Sequence, residues 1–106
     1  MIIFKTEKLY SIFYTEIAEI INENIKNFFD NKNHEDFIVT LIKIKISYDM
    51  NSIIAYINIY PFFDEKIMHY LNSKSKFYRK LLSKRLRYRV KKIPKLFFIF
   101  RETIDY

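Results

Sequence analysis

Apolar residues recur at spacings of three and four from Leu9 to Phe28, through Ile12, Phe13, Ile17, Ile20, Ile21 and Ile25. That interval makes one buried stripe along an α-helix, and an extended strand cannot present it. The spacing predicts a helix from Thr6 to about Phe29, whose other face carries Glu7, Glu16, Glu19, Glu23 and Lys26 and stays in water. The turn formers Asp30-Asn31-Lys32-Asn33 are expected to end it.

The period then changes. Phe37 to Ser47 is rich in β-branched residues, and Ile42-Lys43-Ile44-Lys45-Ile46 alternates with a period of two, which puts Lys43 and Lys45 together on an open face. Beyond the turn Tyr48-Asp49-Met50-Asn51-Ser52, Ile53, Ala55, Ile57 and Ile59 share one parity, and Ile54, Tyr56, Asn58 and Tyr60 the other. These two runs read as an antiparallel hairpin, closed by Pro61, which cannot donate to a ladder. Helical spacing returns at Ile67, Tyr70, Leu71, Tyr78, Leu81, Leu82 and Leu86. This is one helix, or two if the polar stretch Asn72 to Lys76 divides it. Leu96 to Phe100, after Pro94, is too short for a helix, and its aromatic content predicts a strand buried on both faces. The order is helix, hairpin, helix or split helix, strand: an α+β domain.

A chain of 106 residues, half of them hydrophobic, has apolar surface for one core and length for one domain, so residues 1–106 are read as a single unit. No cysteine is present, so neither disulfides nor thiolate ligands are available, and a reducing cytoplasm fits. The absence of glycine rules out a P-loop, a GxGxxG turn and a nucleophile elbow. His34 and His69 have no ligand at metal-binding spacing, and Glu35-Asp36 and Asp64-Glu65 sit where acids favour helix starts or solvate turns. No catalytic residue, metal, cofactor or small-molecule substrate is expected. The longest uncharged stretch, Met50 to Phe63, is broken by Asn51, Ser52, Asn58 and Pro61, and Lys5 comes too early for a signal peptide, so neither membrane insertion nor export is expected.

Charge is strongly segregated. Residues 1–73 hold seven basic and ten acidic side chains, whereas residues 74–101 hold twelve basic and no acidic ones. All five arginines, Arg79, Arg85, Arg87, Arg89 and Arg101, fall in that segment although lysine is far commoner in the chain. Arginine's planar fork grips phosphate with two hydrogen bonds, and unneutralised like charges weaken a domain unless an anionic partner meets them. Residues Lys74, Lys76, Arg79, Lys80, Lys84, Arg85, Arg87, Arg89, Lys91 and Lys92, with Lys43 and Lys45 from the hairpin, are the candidate RNA-binding set. If Arg85 to Lys92 is extended, its alternation aims Arg85, Arg87, Arg89 and Lys91 to one side as a comb along a phosphate backbone. Phe77 and Tyr78 fit a core at helical spacing, while Tyr88 is open to stacking on a base.

These residues resemble a known family. The stretch Arg79-Lys80-Leu81-Leu82-Ser83-Lys84-Arg85-Leu86-Arg87, followed by Lys92-Ile93-Pro94-Lys95-Leu96-Phe97-Phe98-Ile99-Phe100, is similar to ribosome-binding factor A. Glu102-Thr103-Ile104 and the turn Ser47-Tyr48-Asp49-Met50-Asn51 look like the family's strand ending and hairpin turn. The resemblance implies a type II KH-like domain without a GxxG loop, with a three-stranded sheet and helices on one face in the order α-β-β-α(-α)-β. It also implies a non-catalytic monomer in the cytoplasm that binds 16S rRNA and the small ribosomal subunit late in maturation. Where many members have an alanine-x-glycine kink between the later helices, this chain has Lys74-Ser75-Lys76; Arg101 replaces a common acid, and the chain stops at Tyr106 without a long tail. The rival reading is a basic peripheral module for DNA or anionic membrane, built on the cationic amphipathic helix in residues 74–92.

Overall fold

The computed structural model describes residues 2–32 and 37–102, with side chains placed for 8–26, 28–29 and 37–102. Asn33, His34, the Glu35-Asp36 pair, Thr103 and Ile104 lie outside the described residues, as does the side chain of Glu7. No proline or glycine interrupts residues 2–32, and helix α1 runs unbroken over Ile2–Lys32, past both predicted ends. Phe13, Ile17, Ile20, Ile21, Ile25 and Phe28 of its stripe are buried, with Leu9 and Ile12 packed against them.

Strands β1 (Ile38–Ile46) and β2 (Ser52–Tyr60) form the expected antiparallel hairpin. Their register slips between Leu41 and Lys43, leaving Ile42 as a β-bulge. The bulge resolves a conflict in the sequence: in a regular strand Val39 and Leu41 would share a face with Lys43 and Lys45. One extra residue flips the parity, so Val39, Leu41 and Ile44 all face the core while both lysines stay exposed. The turn between the strands holds Met50 at φ 63°, a left-handed conformation that glycine usually supplies. Side chains replace it: the Ser47 hydroxyl donates to Asp49 Oδ1 (2.7 Å), and Asn51 N–H donates to Asp49 Oδ1 and Ser47 Oγ (both 3.1 Å). The hydrogen bond from Ser47, then that from Asn51 N–H, holds the Asp49 carboxyl below its ordinary pKa, so it remains an acceptor.

Asp64 caps helix α2 (Glu65–Ser73), accepting from the N–H groups of Lys66 (2.8 Å) and Ile67 (3.4 Å). Lys74, at φ −98° and ψ 2°, separates α2 from α3 (Ser75–Leu86), so the polar stretch does divide the helix. Its N–H still bonds the carbonyls of Tyr70 (3.2 Å) and Leu71 (3.1 Å), and its own carbonyl accepts from Tyr78 N–H (2.9 Å). That backbone conformation is open to any residue, so the kink forms here without glycine.

The α2–α3 pair is the crossover that returns the chain to lay β3 (Lys95–Phe100) parallel to β2, giving the strand order β1-β2-β3. All three helices cover one face of this sheet, where Ile53, Ala55, Ile57, Leu96 and Phe98 meet Ile17, Ile21, Leu82 and Leu86 in one cluster. Because β3 is an outer strand over an uncovered face, it is not buried on both sides as predicted: Phe97 and Ile99 are 48% and 44% exposed. Both outer strands are closed by helix side chains. Tyr14 donates to Leu41 O (2.8 Å) and Tyr10 accepts from Ile44 N–H (3.3 Å) beside the bulge. On the other edge the Asn72 amide imitates a strand, donating to Phe98 O (3.1 Å) and accepting from Phe98 N–H (3.0 Å).

Asn72→Ala is expected to lower stability by about 1 kcal/mol in chemical denaturation, because two edge groups lose their partner; an unchanged midpoint would contradict the edge-closing role.

Tyr78 is 1% exposed, lies edge-on to Phe98 at 5.9 Å, and has a buried hydroxyl with no hydrogen-bond partner among the described residues. Burial, reinforced by Tyr70, pushes its phenol above the ordinary value of 10.0. The unfolded chain releases this proton first, so the contribution is fully present below pH about 10 and is lost as pH rises further. Because the buried hydroxyl lacks a partner, Tyr78→Phe should hold or raise neutral-pH stability by up to about 1 kcal/mol, and with no phenol left to ionise it should flatten the alkaline loss. Denaturation midpoints measured against pH that fall equally steeply for both proteins would refute this.

Candidate nucleic-acid interface

Helix α3 sorts its side chains by period. Tyr78, Leu82 and Leu86 point into the core, each at most 1% exposed, while Lys76, Arg79, Lys80 and Ser83 form the outward stripe. The chain leaving α3 folds back beside that stripe, and between them lies an open cleft of about 460 Å³ lined by Lys76, Arg79, Lys80, Ser83, Lys91, Lys92 and Ile93. Every polar side chain lining it is a cation or the Ser83 hydroxyl. Arg79 fixes the return segment, its Nε (3.0 Å) and Nη2 (2.9 Å) both donating to the carbonyl of Ile93. Lys92 donates to Asn51 Oδ1 and so ties the segment to the hairpin turn. Lys76, Lys80 and Lys91 make no hydrogen bond or ion pair within the described residues and carry their charge to solvent.

Other expected residues fall elsewhere. Arg85 does not face the cleft. It is held by three glutamates of α1, Glu23 (2.5 Å), Glu16 (3.4 Å) and Glu19 (3.6 Å), and the bond to Glu23 raises its pKa above the ordinary value. The glutamates expected to form a solvated face thus neutralise one member of the basic segment. Nor is Arg85 to Lys92 extended. Leu86 ends α3, the carbonyl of Leu86 accepts from the N–H groups of Arg89 and Val90 (both 2.9 Å), and the comb is replaced by a turn that sends its cations in different directions. Arg87 stacks over Tyr88 at 5.0 Å, with Tyr88 89% exposed. Arg89 reaches Lys8, Leu9 and Ile12 of α1 around a separate cavity of about 400 Å³. Lys84 is exposed on the last turn of α3, where a cation suits the helix dipole. Lys74 sits at the kink, 5.9 Å from the rings of both Tyr70 and Phe77. Phe77 is 47% exposed and not core as expected, since the inward side of α3 is the stripe Tyr78, Leu82 and Leu86 and Phe77 lies about 100° round the helix from Tyr78. Lys43 and Lys45 lie on the far face of the sheet.

Two lining groups escaped notice in the sequence. Lys95 and Phe97, at the start of β3, border a second cavity of about 410 Å³ with Ser75, Lys76 and Arg79, continuing the cleft to the sheet edge. Their part depends on which edge β3 occupies, and the local pattern carries no signal for that.

A hairpin, a kinked helix pair and a parallel third strand, covered on one face by helices, constitute a KH-like α+β fold. The model of the family Ribosome-binding factor A matches residues 5–106, and the chain belongs to that family. It is 29% identical over 104 residues to ribosome-binding factor A of Buchnera aphidicola subsp. Cinara cedri (strain Cc), an alignment covering 94% of this chain and 84% of the relative. Its fold is similar to the crystal structure of ribosome-binding factor A from Thermus thermophilus, with a TM-score of 0.66 at 19% identity over 88% of this chain and 92% of that one. It is also similar to a homology model of the Thermus thermophilus ribosome binding factor A fitted into the cryo-EM map of a 30S complex, with a TM-score of 0.52 at 15% identity over 72% of this chain and 90% of that one. No helix among the described residues is long and apolar enough to cross a membrane, and no group of three or more metal-ligating residues occurs among them.

Arg85→Ala is expected to lower stability by about 1 kcal/mol, through loss of an ion-pair network between α1 and α3, while leaving affinity for polyanions near the wild-type value. Heparin-column elution at an unchanged salt concentration together with a lowered denaturation midpoint would bear this out; earlier elution with an unchanged midpoint would return Arg85 to the binding surface.

Proposed function

We propose that this protein is a non-catalytic assembly factor that binds the small ribosomal subunit late in its maturation and grips 16S rRNA through the cleft between α3 and the segment that follows it. The observation that carries this reading is the cleft's lining: five cations and a hydroxyl, without an acid, on a scaffold fixed by Arg79 and Lys92. Further support comes from the family and from the structural relative that was fitted into a 30S complex. The lysines Lys76, Lys80 and Lys91 meet phosphates, while Ser83, between them on the outward stripe of α3, donates a neutral hydrogen bond. The absence of acids there makes binding salt-dependent and tolerant of sequence. The chain acts as one unit and as a monomer in the cytoplasm, consistent with its single core and with a net charge of +7 that opposes self-association.

The membrane reading loses its physical basis in the packing of α3. An amphipathic helix that lies on lipid must offer its apolar side, and here that side, Tyr78, Leu82 and Leu86, is sealed in the core. DNA shares the phosphate chemistry and is separated from RNA by competition.

In a sucrose gradient of cell extract the wild-type protein is expected to travel with free small subunits and not with translating ribosomes. Lys80→Glu/Lys91→Glu should bind purified small subunits at least about ten-fold more weakly, with a salt dependence shallower by about one counterion per lost contact. Wild-type protein that sediments with neither fraction, or a double variant with undiminished affinity, would overturn the reading.

A further inference from the structure

The helices leave one face of the sheet uncovered, and the strands that form it contain no acidic residue. Two cross-strand rows define its centre. Lys43, Tyr56 and Ile99 lie side by side in one row, and Lys45, Ile54 and Phe97 in the next. Lys43 Nζ and the Arg101 guanidinium both lie over the Tyr56 ring, at 5.4 and 5.6 Å. Beside them Phe97 and Ile99 leave nearly half of their surface in water. The face is therefore an apolar strip, bordered by cations on both outer strands.

We infer that this open sheet face is a second nucleic-acid surface, and that its occupant is an unpaired RNA strand. The inference rests on the reading of the chain as an rRNA-binding protein and assigns a different part of the molecule from the α3 cleft. Charge selects the class of occupant. A second copy of this chain would set lysine against lysine with no acid to offset it, so self-association is disfavoured, whereas a polyanion gains from every cation on the face. The aromatic content selects the single strand. In a duplex the base faces are hidden in the stack, while an unpaired strand can lay a base on the exposed ring of Phe97, beside the cations held over Tyr56. Lys43 and Lys45 stand two residues apart in one strand, roughly 7 Å along the sheet, which suits successive phosphates of an extended strand. Lys43 and Arg101 are already held over Tyr56, so each loses less side-chain freedom on meeting a phosphate.

The two surfaces are also joined. Lys95 and Phe97 border the cavity that contains Lys76 and Arg79, at the outer edge of β3. A strand leaving the cleft there passes directly onto the open face.

The test compares two labelled probes by fluorescence anisotropy: a single-stranded oligouridine and an RNA hairpin whose stem is fully paired. Lys43→Glu/Lys45→Glu should lose at least about ten-fold in affinity for oligouridine and stay within about two-fold of wild type on the hairpin. Lys43→Gln/Lys45→Gln, which removes charge without reversing it, should lose most of the same affinity. Ultraviolet crosslinking to oligouridine should mark Tyr56 or the peptide 95–101. Wild-type oligouridine affinity in either double variant overturns the inference, as do crosslinks confined to residues 76–93. Tighter binding of a polyglutamate peptide than of oligouridine overturns it in favour of an acidic protein partner. Failure of the wild-type protein to bind purified small subunits would instead remove the reading on which this one rests; a weakened Lys80→Glu/Lys91→Glu variant beside an unaffected Lys43→Glu/Lys45→Glu variant removes this inference alone.

Discussion

Burial of the α1 stripe against one side of a three-stranded sheet is the contact from which the rest of the molecule follows. Phe13, Ile17, Ile20 and Ile21 are 0–1% exposed, as are Ile53, Ala55 and Ile57 beneath them and Leu82 and Leu86 beside them. At roughly 25 cal/mol for each Å² of apolar surface removed from water, such a layer is the main term that offsets the entropy of ordering the chain. Because α1 fills one half of the covered face, α2 and α3 must share the other, and the outward stripe of α3 is thereby set beside the segment that leads into β3. The cleft is a product of this packing. Its cations are adjacent in space because Leu82 and Leu86 have to point inward.

A glycine-free chain meets its turns and edges by other means. The left-handed residue Met50 costs about 1–2 kcal/mol relative to a right-handed one, and the bonds among Ser47, Asp49 and Asn51 offset that cost. The kink at Lys74 keeps its backbone bonds without a left-handed residue. The bulge at Ile42 and the tyrosines and asparagine that close the outer strands take the part that edge charges or proline play elsewhere. Two further contacts link the hairpin turn, the return segment and α3, Lys92 to Asn51 and Arg79 to Ile93. The cleft is accordingly preorganised.

The elements were legible in the sequence where period alone decides them. The stripe of α1, the parity of β2 and the inward positions of Tyr78, Leu82 and Leu86 on α3 depend on local spacing and are found as read, whereas Phe77, read as core, is exposed. What depends on long-range placement was not legible. The exposure of Phe97 and Ile99 follows from β3 lying at an edge, and no property of Leu96 to Phe100 distinguishes an edge strand from a central one. The capture of Arg85 by Glu16, Glu19 and Glu23 depends on α1 and α3 meeting at the right rotation. The glutamates' spacing of three and four marked a single acidic stripe, yet whether that stripe faces water or a cation is settled only by the partner helix. Counting charge along the chain overstated the continuity of the basic segment, because a helix followed by a turn distributes neighbouring residues around an axis.

That distribution has a functional sense once the cations are sorted by what they touch. Arg85 and Arg79 are committed within the protein, the first to three carboxylates and the second through two donors to a single carbonyl, and both positions use several donors of one guanidinium fork. The groups left for solvent in the cleft are the lysines Lys76, Lys80 and Lys91, compact charges on flexible stems. Arginine here braces the cleft and the helix packing, and lysine carries the charge left in water. An arginine placed at a cleft lysine would compete with Arg79 for the carbonyl of Ile93. A lysine placed at Arg79 would lose the second bond to Ile93 and loosen the cleft. The enrichment of arginine in the last third of the chain is therefore explained at Arg79 and Arg85 by the architecture that presents the charge.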